Sequence, residues 1–177
     1  MIAATGNATM RERRDDSQGE TSTWLVFSVA HRTYMIDLDS VAEVVAARKL
    51  HLVPLIPLEI GGVLNIRGEP TPVVDGGAVL QRRPCGAHRH VLVFESDERR
   101  LGLLVDYVLR IDRDFRPTRI ETLEAPEDDG VCTSAWKRSS DGGALGIVDS
   151  TAVLARATEL LAGQSLESRE EPCQNAF

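Results

Sequence analysis

Two nine-residue segments constrain this chain more than any other feature. "PVVDGGAVL" (72–80) and "GIVDSTAVL" (146–154) share one plan: an apolar strand, an aspartate, two small residues, then Ala-Val-Leu. Each strand ends at Asp75 or Asp149. A carboxylate there can accept amide hydrogen bonds at a helix start, where the first N–H groups lack partners. A strand–Asp–helix unit used twice predicts two similar lobes. The competing explanation is coincidence over a short stretch. The first copy should form the weaker helix, because paired glycines at 76 and 77 are poor helix formers.

The rest of the chain reads as strands between two polar ends. Residues 1–22 are polar, mixed in charge and without period, which predicts a disordered arm, and 163–177 read as a short polar tail. Between them, "TWLVFSVA" places Leu25, Phe27 and Val29 on one face and Trp24 and Val26 on the other, and "HR" then turns the chain into "TYMIDL". "DSVAEVVAARK" suits either a short helix or a valine-rich strand. Pro54 and Pro57 break "LVPLIPLEIGG" into irregular chain. "GVLNIRG" and "TPVVD" are two short strands. Pro70 and Pro72 remove amide donors from the second, which should therefore be an edge strand or bulged. "HVLVFES" and "RRLGLLVDYVLRI" form a hairpin about "DE". "STAVLARATELLAG" is a helix, with Ser150 able to cap its start, Val153, Leu154, Ala157, Leu160 and Leu161 in one stripe, and Gly163 at its end. A core of this kind must be aliphatic, since aromatics are only 5% of the 177 residues.

Chemistry-bearing motifs are scarce. The net charge of −7 argues against nucleic-acid binding, which needs a basic face. Cys85, Cys132 and Cys173 are widely spaced, with no pair at metal or redox spacing, so reduced thiols are the simplest reading. No apolar run is long enough to span a bilayer, and the N-terminus has no apolar secretory region, so a soluble, cytoplasmic protein without direct membrane insertion is expected. Cys85, His88 and His90 in "CGAHRH" could bind a metal if the histidines share a strand face, making a metal- or small-molecule-binding β-barrel sensor the second reading. The plainer reading is a solvated loop, because no fourth ligand appears. Asp106 is a lone carboxylate in an apolar run. It could act as a general base only with a matched partner, and is otherwise a hydrogen-bonded turn or lobe-junction residue. No phosphate loop or catalytic constellation occurs, so no enzyme, cofactor or metal is expected.

Arg67 and Glu43 are the odd charges. Strand alternation in "GVLNIRG" sets Leu64 and Ile66 toward a core, with Val63, Asn65 and Arg67 opposite. Glu43 sits alone in the apolar "SVAEVV". A partly buried Arg67–Glu43 pair would account for both and fix geometry more than stability. The alternative is two solvated side chains that never meet.

These residues resemble a family. "GGVLNIRGEPTPVVD" is similar to the signature of CheW-type chemotaxis adaptors, and the resemblance extends through "WLVFSVAHRTYMIDLDSVAEVV", "LVPLIPLEIGGVLNIRG", "RRLGLLVDYVLRI" and "GALGIVDSTAVLARA", over about residues 23–162. It implies a mainly β fold of two side-by-side five-stranded β-barrel lobes with few short helices and a C-terminal helix. It also implies a non-catalytic adaptor that couples chemoreceptors to a CheA-type histidine kinase, recruited to membrane-associated receptor arrays. Its partners would be the kinase regulatory domain, the helical receptor tip and other CheW-like domains. Carried over by motif, Val41, Glu43, Gly62, Asn65, Arg67, Gly102, Val108 and Ile111 would line the receptor- and kinase-coupling surface. There the valines and isoleucine would offer apolar contact, Arg67 a directional charge, and the glycines close backbone approach. Gly76-Gly77 departs from the family pattern after Asp75, as does "CTSAWKRSSDGG", which leaves room for a divergent, non-flagellar pathway.

Overall fold

The structure is a computed structural model that describes residues 22–51, 57–84, 89–96, 99–116, 121–127 and 132–167. Two successive halves repeat one order of elements. The first runs β1 (Trp24–Val29), β2 (Arg32–Asp37), β3 (Glu43–Ala46), β4 (Leu50–His51), β5 (Ile60–Ile66), β6 (Glu69–Asp75) and α1 (Gly76–Leu80). The second runs β7 (His90–Ser96), β8 (Arg99–Val105), β9 (Tyr107–Asp112), β10 (Thr122–Leu123), β11 (Thr133–Arg138), β12 (Ala144–Val148) and α2 (Ser150–Glu167). The ambiguous "DSVAEVVAARK" resolves into strand β3 between single 3-10 turns at Leu38–Ser40 and Ala47–Lys49.

The halves exchange hairpins. The first sheet has the order β10-β11-β12-β2-β1-β9 and the second β3-β7-β8-β6-β5-β4. Each thus takes its hairpin from one half and four strands from the other. Each has five strands of four residues or more and one two-residue edge strand. The pairings correspond: β12 runs parallel to β2 as β6 runs parallel to β8, and β9 lies antiparallel to β1 as β3 lies antiparallel to β7. The repeat read from the Asp75 and Asp149 segments therefore extends over six strands and a helix.

Strand parity decides where each side chain goes. Leu25, Phe27, Val29, Tyr34 and Ile36 enter the main core between the sheets, together with Leu92, Phe94, Leu101, Leu103 and Val105 of the second sheet. Val26, Met35, Leu145 and Ile147 form a small cluster on the other face of the first sheet, with Trp24 and Phe115 against it. Leu64, Ile66, Val73, Val91 and Val93 fill the second lobe. Trp136 is buried beside Tyr34, ring centroids 5.5 Å apart. Cys132 is a buried thiol, while Cys85 and Cys173 lie outside the described residues.

Both aspartates cap helices. Asp75 Oδ1 accepts from Ala78 N at 2.9 Å, and Asp149 Oδ1 from Thr151 N at 2.8 Å and from the Thr151 hydroxyl. Asp149 therefore does the work expected of Ser150, which is the first helical residue instead. As expected, α1 is short, at five residues against eighteen in α2. The glycine that departs from the family pattern is what its site admits: a Cβ on Gly76 would lie 2.2 Å from Leu104 O. The α2 stripe packs as expected, with Val153 and Ala157 fully buried and Leu154, Leu160 and Leu161 against the main core. The helix continues past Gly163 to Glu167, because Gly163 is exposed and a single glycine near a helix end costs only about 1 kcal/mol.

β6 is a correction. It is not an edge strand but lies between β8 and β5. Asp75 N donates to Glu59 O on the β5 side, so alternation turns the nitrogens of Pro70 and Pro72 toward β8. The parallel ladder with β8 starts only at Val73, so neither proline leaves a ladder bond unmade.

Candidate functional site

The β5–β6 connection is a two-residue turn, Arg67-Gly68, with φ of 54° and 93°. Positive φ at both central residues marks the mirror-image hairpin turn whose twist matches that of the strands. Asn65 Oδ1 accepts from Gly68 N at 2.8 Å and so tightens it. Alternation holds up to Ile66, with Leu64 and Ile66 buried and Asn65 exposed. It fails at Arg67, which leaves the strand for the turn. An arginine in the left-handed region is strained, and such strain clusters at functional positions.

Arg67 and Glu43 do pair, Nη2 to Oε2 at 3.6 Å. Their side chains are 74% and 26% exposed, so the pair is a surface one rather than partly buried, and contributes at most about 1 kcal/mol. Beside it, Arg100 of β8 spans two more carboxylates, Nη1 to Glu69 at 3.0 Å and Nη2 to Glu95 at 3.2 Å. The bond to Glu95, with the charges of Glu69 and Glu43, holds the Arg100 guanidinium above its ordinary pKa. Sequence reasoning missed Arg100. The two residues between Ser96 and Arg99 were the available signal, since a hairpin closed there sets Glu95 opposite Arg100.

Edge strands β3 and β9 carry the apolar part. Val41 and Val108 are half-buried against the main core. Val44 faces Leu92 and Ile111 faces Leu25, at matching places in the two halves, and both are exposed, 40% and 50%. Tyr107 and Leu109 of β9 are exposed as well. They were missed because "RRLGLLVDYVLRI" is two strands parted at Asp106, and the β1–β9 register shifts beside Leu109. Glu43 and Arg110 occupy equivalent positions with opposite charge, facing Val93 and Val26.

The two glycines are buried. Gly102 is buried in β8, where a Cβ would lie 2.6 Å from Val91 Cγ1 and 2.9 Å from Val73 Cγ2. Gly62 is buried at an irregularity of β5 with φ of 133°, and a Cβ there would meet His51 O at 2.4 Å. Both let strands approach one another inside the lobe, and neither lines a surface. Asp106 takes the lobe-junction role: its N donates to Ser28 O at 2.9 Å and its Oδ2 accepts from Ala30 N at 2.8 Å. Gln81, after α1, donates to Val29 O at 2.8 Å and holds the same hairpin tip.

His90 begins β7, but Cys85 and His88 lie outside the described residues. Among the described residues no group of three or more His, Cys, Asp or Glu is placed to hold a metal. An open cleft bordered by Arg110, Asp112, Phe115, Glu121 and Arg138 lies on the first lobe. Two of its arginines are matched to carboxylates, Arg138 to Glu121 at 2.7 Å and Arg110 to Asp112 at 3.9 Å. No helix of the described residues is long and apolar enough to cross a membrane.

The described residues thus form two hairpin-exchanged β lobes, with a charged turn at one corner and apolar side chains exposed on the edge strands. A family model described as the CheW-like domain matches residues 23–158. Over 100 residues the chain is 32% identical to "Chemotaxis protein CheW" of Rhizobium meliloti (strain 1021) and 30% identical to "Probable chemotaxis protein CheW" of Rhizobium etli. Each alignment takes in 53% of this chain and 64% of the relative, so the chain spans less than two thirds of the length of these curated relatives. The crystal structure of scaffolding protein TtCheW from Thermoanaerobacter tengcongensis matches with a TM-score of 0.61 at 22% identity, over 78% of this chain and 90% of that one, and so shares its fold. The chain belongs to the CheW-like domain family.

Proposed function

We propose that this protein is a non-catalytic adaptor that couples chemoreceptors to a CheA-type histidine kinase in the cytoplasm, at membrane-associated receptor arrays. The observation that carries this reading is the placement of exposed apolar side chains. Of the five large ones among the described residues, Val44, Tyr107, Leu109 and Ile111 sit on the edge strands β3 and β9. Edge strands offer unpaired backbone groups as well as side chains, and an amphipathic helical hairpin can lay its apolar face against such a surface. In this reading Val41, Val44, Val108 and Ile111 give apolar contact to a receptor tip or to the kinase regulatory domain. Arg67, braced by Glu43, supplies a charge that sets orientation.

The test is binding to the regulatory domain of a CheA-type kinase encoded in the same genome, with wild type compared with Arg67→Glu. Wild type should bind, and the reversal, which turns the Arg67–Glu43 attraction into repulsion, should abolish or strongly weaken binding. Failure of the wild type to bind any such kinase or receptor fragment would sink the adaptor reading.

A further inference from the structure

We propose that Arg100 is a positioning residue for docking: it holds the Arg67 turn from its far side and keeps Glu43 available to Arg67. This rests on the adaptor reading above. The turn from Ile66 to Glu69 is tied at two points. Arg67 reaches Glu43 on β3, and Glu69, the residue after Gly68, is held by Arg100 on β8 at 3.0 Å. The second arm of the Arg100 guanidinium reaches Glu95 on β7 at 3.2 Å, and that carboxylate is directly opposite Arg100 in the hairpin register.

Strand parity puts these charges together. Glu43 faces Val93, two residues before Glu95, so Glu43, Glu95 and Arg100 share one face of the sheet. The corner thus holds three carboxylates and two guanidiniums. Arg100 matches two of the three, which leaves Glu43 for Arg67.

Removal of the Arg100 charge would leave Glu43, Glu69 and Glu95 competing for Arg67 alone. Glu69 is only two residues from Arg67 and would draw its side chain back over the turn. Arg100 is also the most shielded cation of the described ion pairs: its side chain is 23% exposed, against 35–74% for the others. A shielded, forked guanidinium keeps its geometry better than a solvated pair does. Arg67, at 74%, has donors left to offer a partner.

The experiment measures binding of the full chain to the same kinase regulatory domain for Arg100→Gln, Arg67→Ala and the double variant. Glu69→Gln, on a residue whose side chain is 70% exposed, cuts the same link without disturbing the sheet. Arg100→Gln and Glu69→Gln should each weaken binding by about threefold to tenfold at an unchanged melting temperature. The double variant should bind no more weakly than Arg67→Ala, because Arg100 acts through Arg67. Wild-type binding by both Arg100→Gln and Glu69→Gln, or losses that simply multiply in the double variant, would overturn the positioning role. Either result leaves the adaptor reading intact so long as Arg67→Glu still breaks binding. If the wild type binds nothing, both readings fall.

Discussion

Glu43 and Arg67 stand 3.6 Å apart, although β3 and β5 occupy the first and fifth places in their sheet. Neighbouring strands are about 4.8 Å apart, so in a flat sheet these residues would be separated by roughly 19 Å. Their meeting requires the sheet to be rolled, and the ion pair closes the roll at one corner of the lobe. The pair is therefore less a store of stability than a marker of curvature. It also brings strands from opposite sides of the sheet onto one surface.

Arg67 adopts a left-handed backbone that asparagine adopts more readily. Arg67→Asn creates an Asn-Gly turn of the kind this hairpin favours. It should raise stability by about 0.5 kcal/mol in urea unfolding, net of the lost surface pair, while weakening kinase or receptor binding. A fall in stability would mean that the ion pair outweighs the turn strain.

Asp149 caps the helix that covers the main core. The Thr151 hydroxyl, then the N–H groups of Thr151 and Ala152, hold its carboxyl below the usual aspartate range. With the folded-state value depressed, the stability it contributes is present above the unfolded pKa of about 3.9 and is lost as pH falls through the folded value. Asp149→Ala should cost about 1 kcal/mol at pH 7, and the cost should shrink toward pH 2. Urea unfolding at the two pH values reads both effects.

Gly102→Ala puts a methyl group 2.6 Å from Val91 and 2.9 Å from Val73. Overpacking of this kind should lower stability by about 1–3 kcal/mol, and Val91→Ala in the same chain should recover part of it. If Gly102 served docking alone, Gly102→Ala would melt like wild type and fail only in binding.

Ile111 is half exposed on β9, so Ile111→Ser should change stability by less than about 0.5 kcal/mol. Binding should weaken severalfold, because an apolar contact with a partner is lost. Pull-down and thermal melting of the same preparation separate the two effects.

Much of the fold was legible because the relevant information is local. Alternation sorted Leu25, Phe27 and Val29 from Trp24 and Val26, and the helical stripe from Val153 to Leu161 packs as its period says. The Asp75 and Asp149 segments announced a duplication. What alternation could not report was membership. β3 follows β2 in sequence yet pairs with β7, and β9 follows β8 yet pairs with β1. A period-two pattern states which face of a strand is apolar, and nothing in it names the neighbour that supplies the hydrogen bonds.

The candidate site divides the same way. Arg67 and Glu43 were visible as charges out of place, and Asp106 as a junction residue. Gly62 and Gly102 were visible as points of close approach, and the structure places neighbouring strands against them, because a missing side chain does not say what fills its space. By itself the sequence determined most of the strands, their apolar faces, the two aspartate caps and the repeat, all set by chemistry within a few residues along the chain. Only the tertiary structure decided the exchange of hairpins, the interior place of β6 and the corner where Arg67, Glu43, Glu69 and Arg100 meet. Those depend on packing two sheets over one core, and on pairings between residues far apart in sequence, such as Thr33 beside Leu145, which carry no local signature.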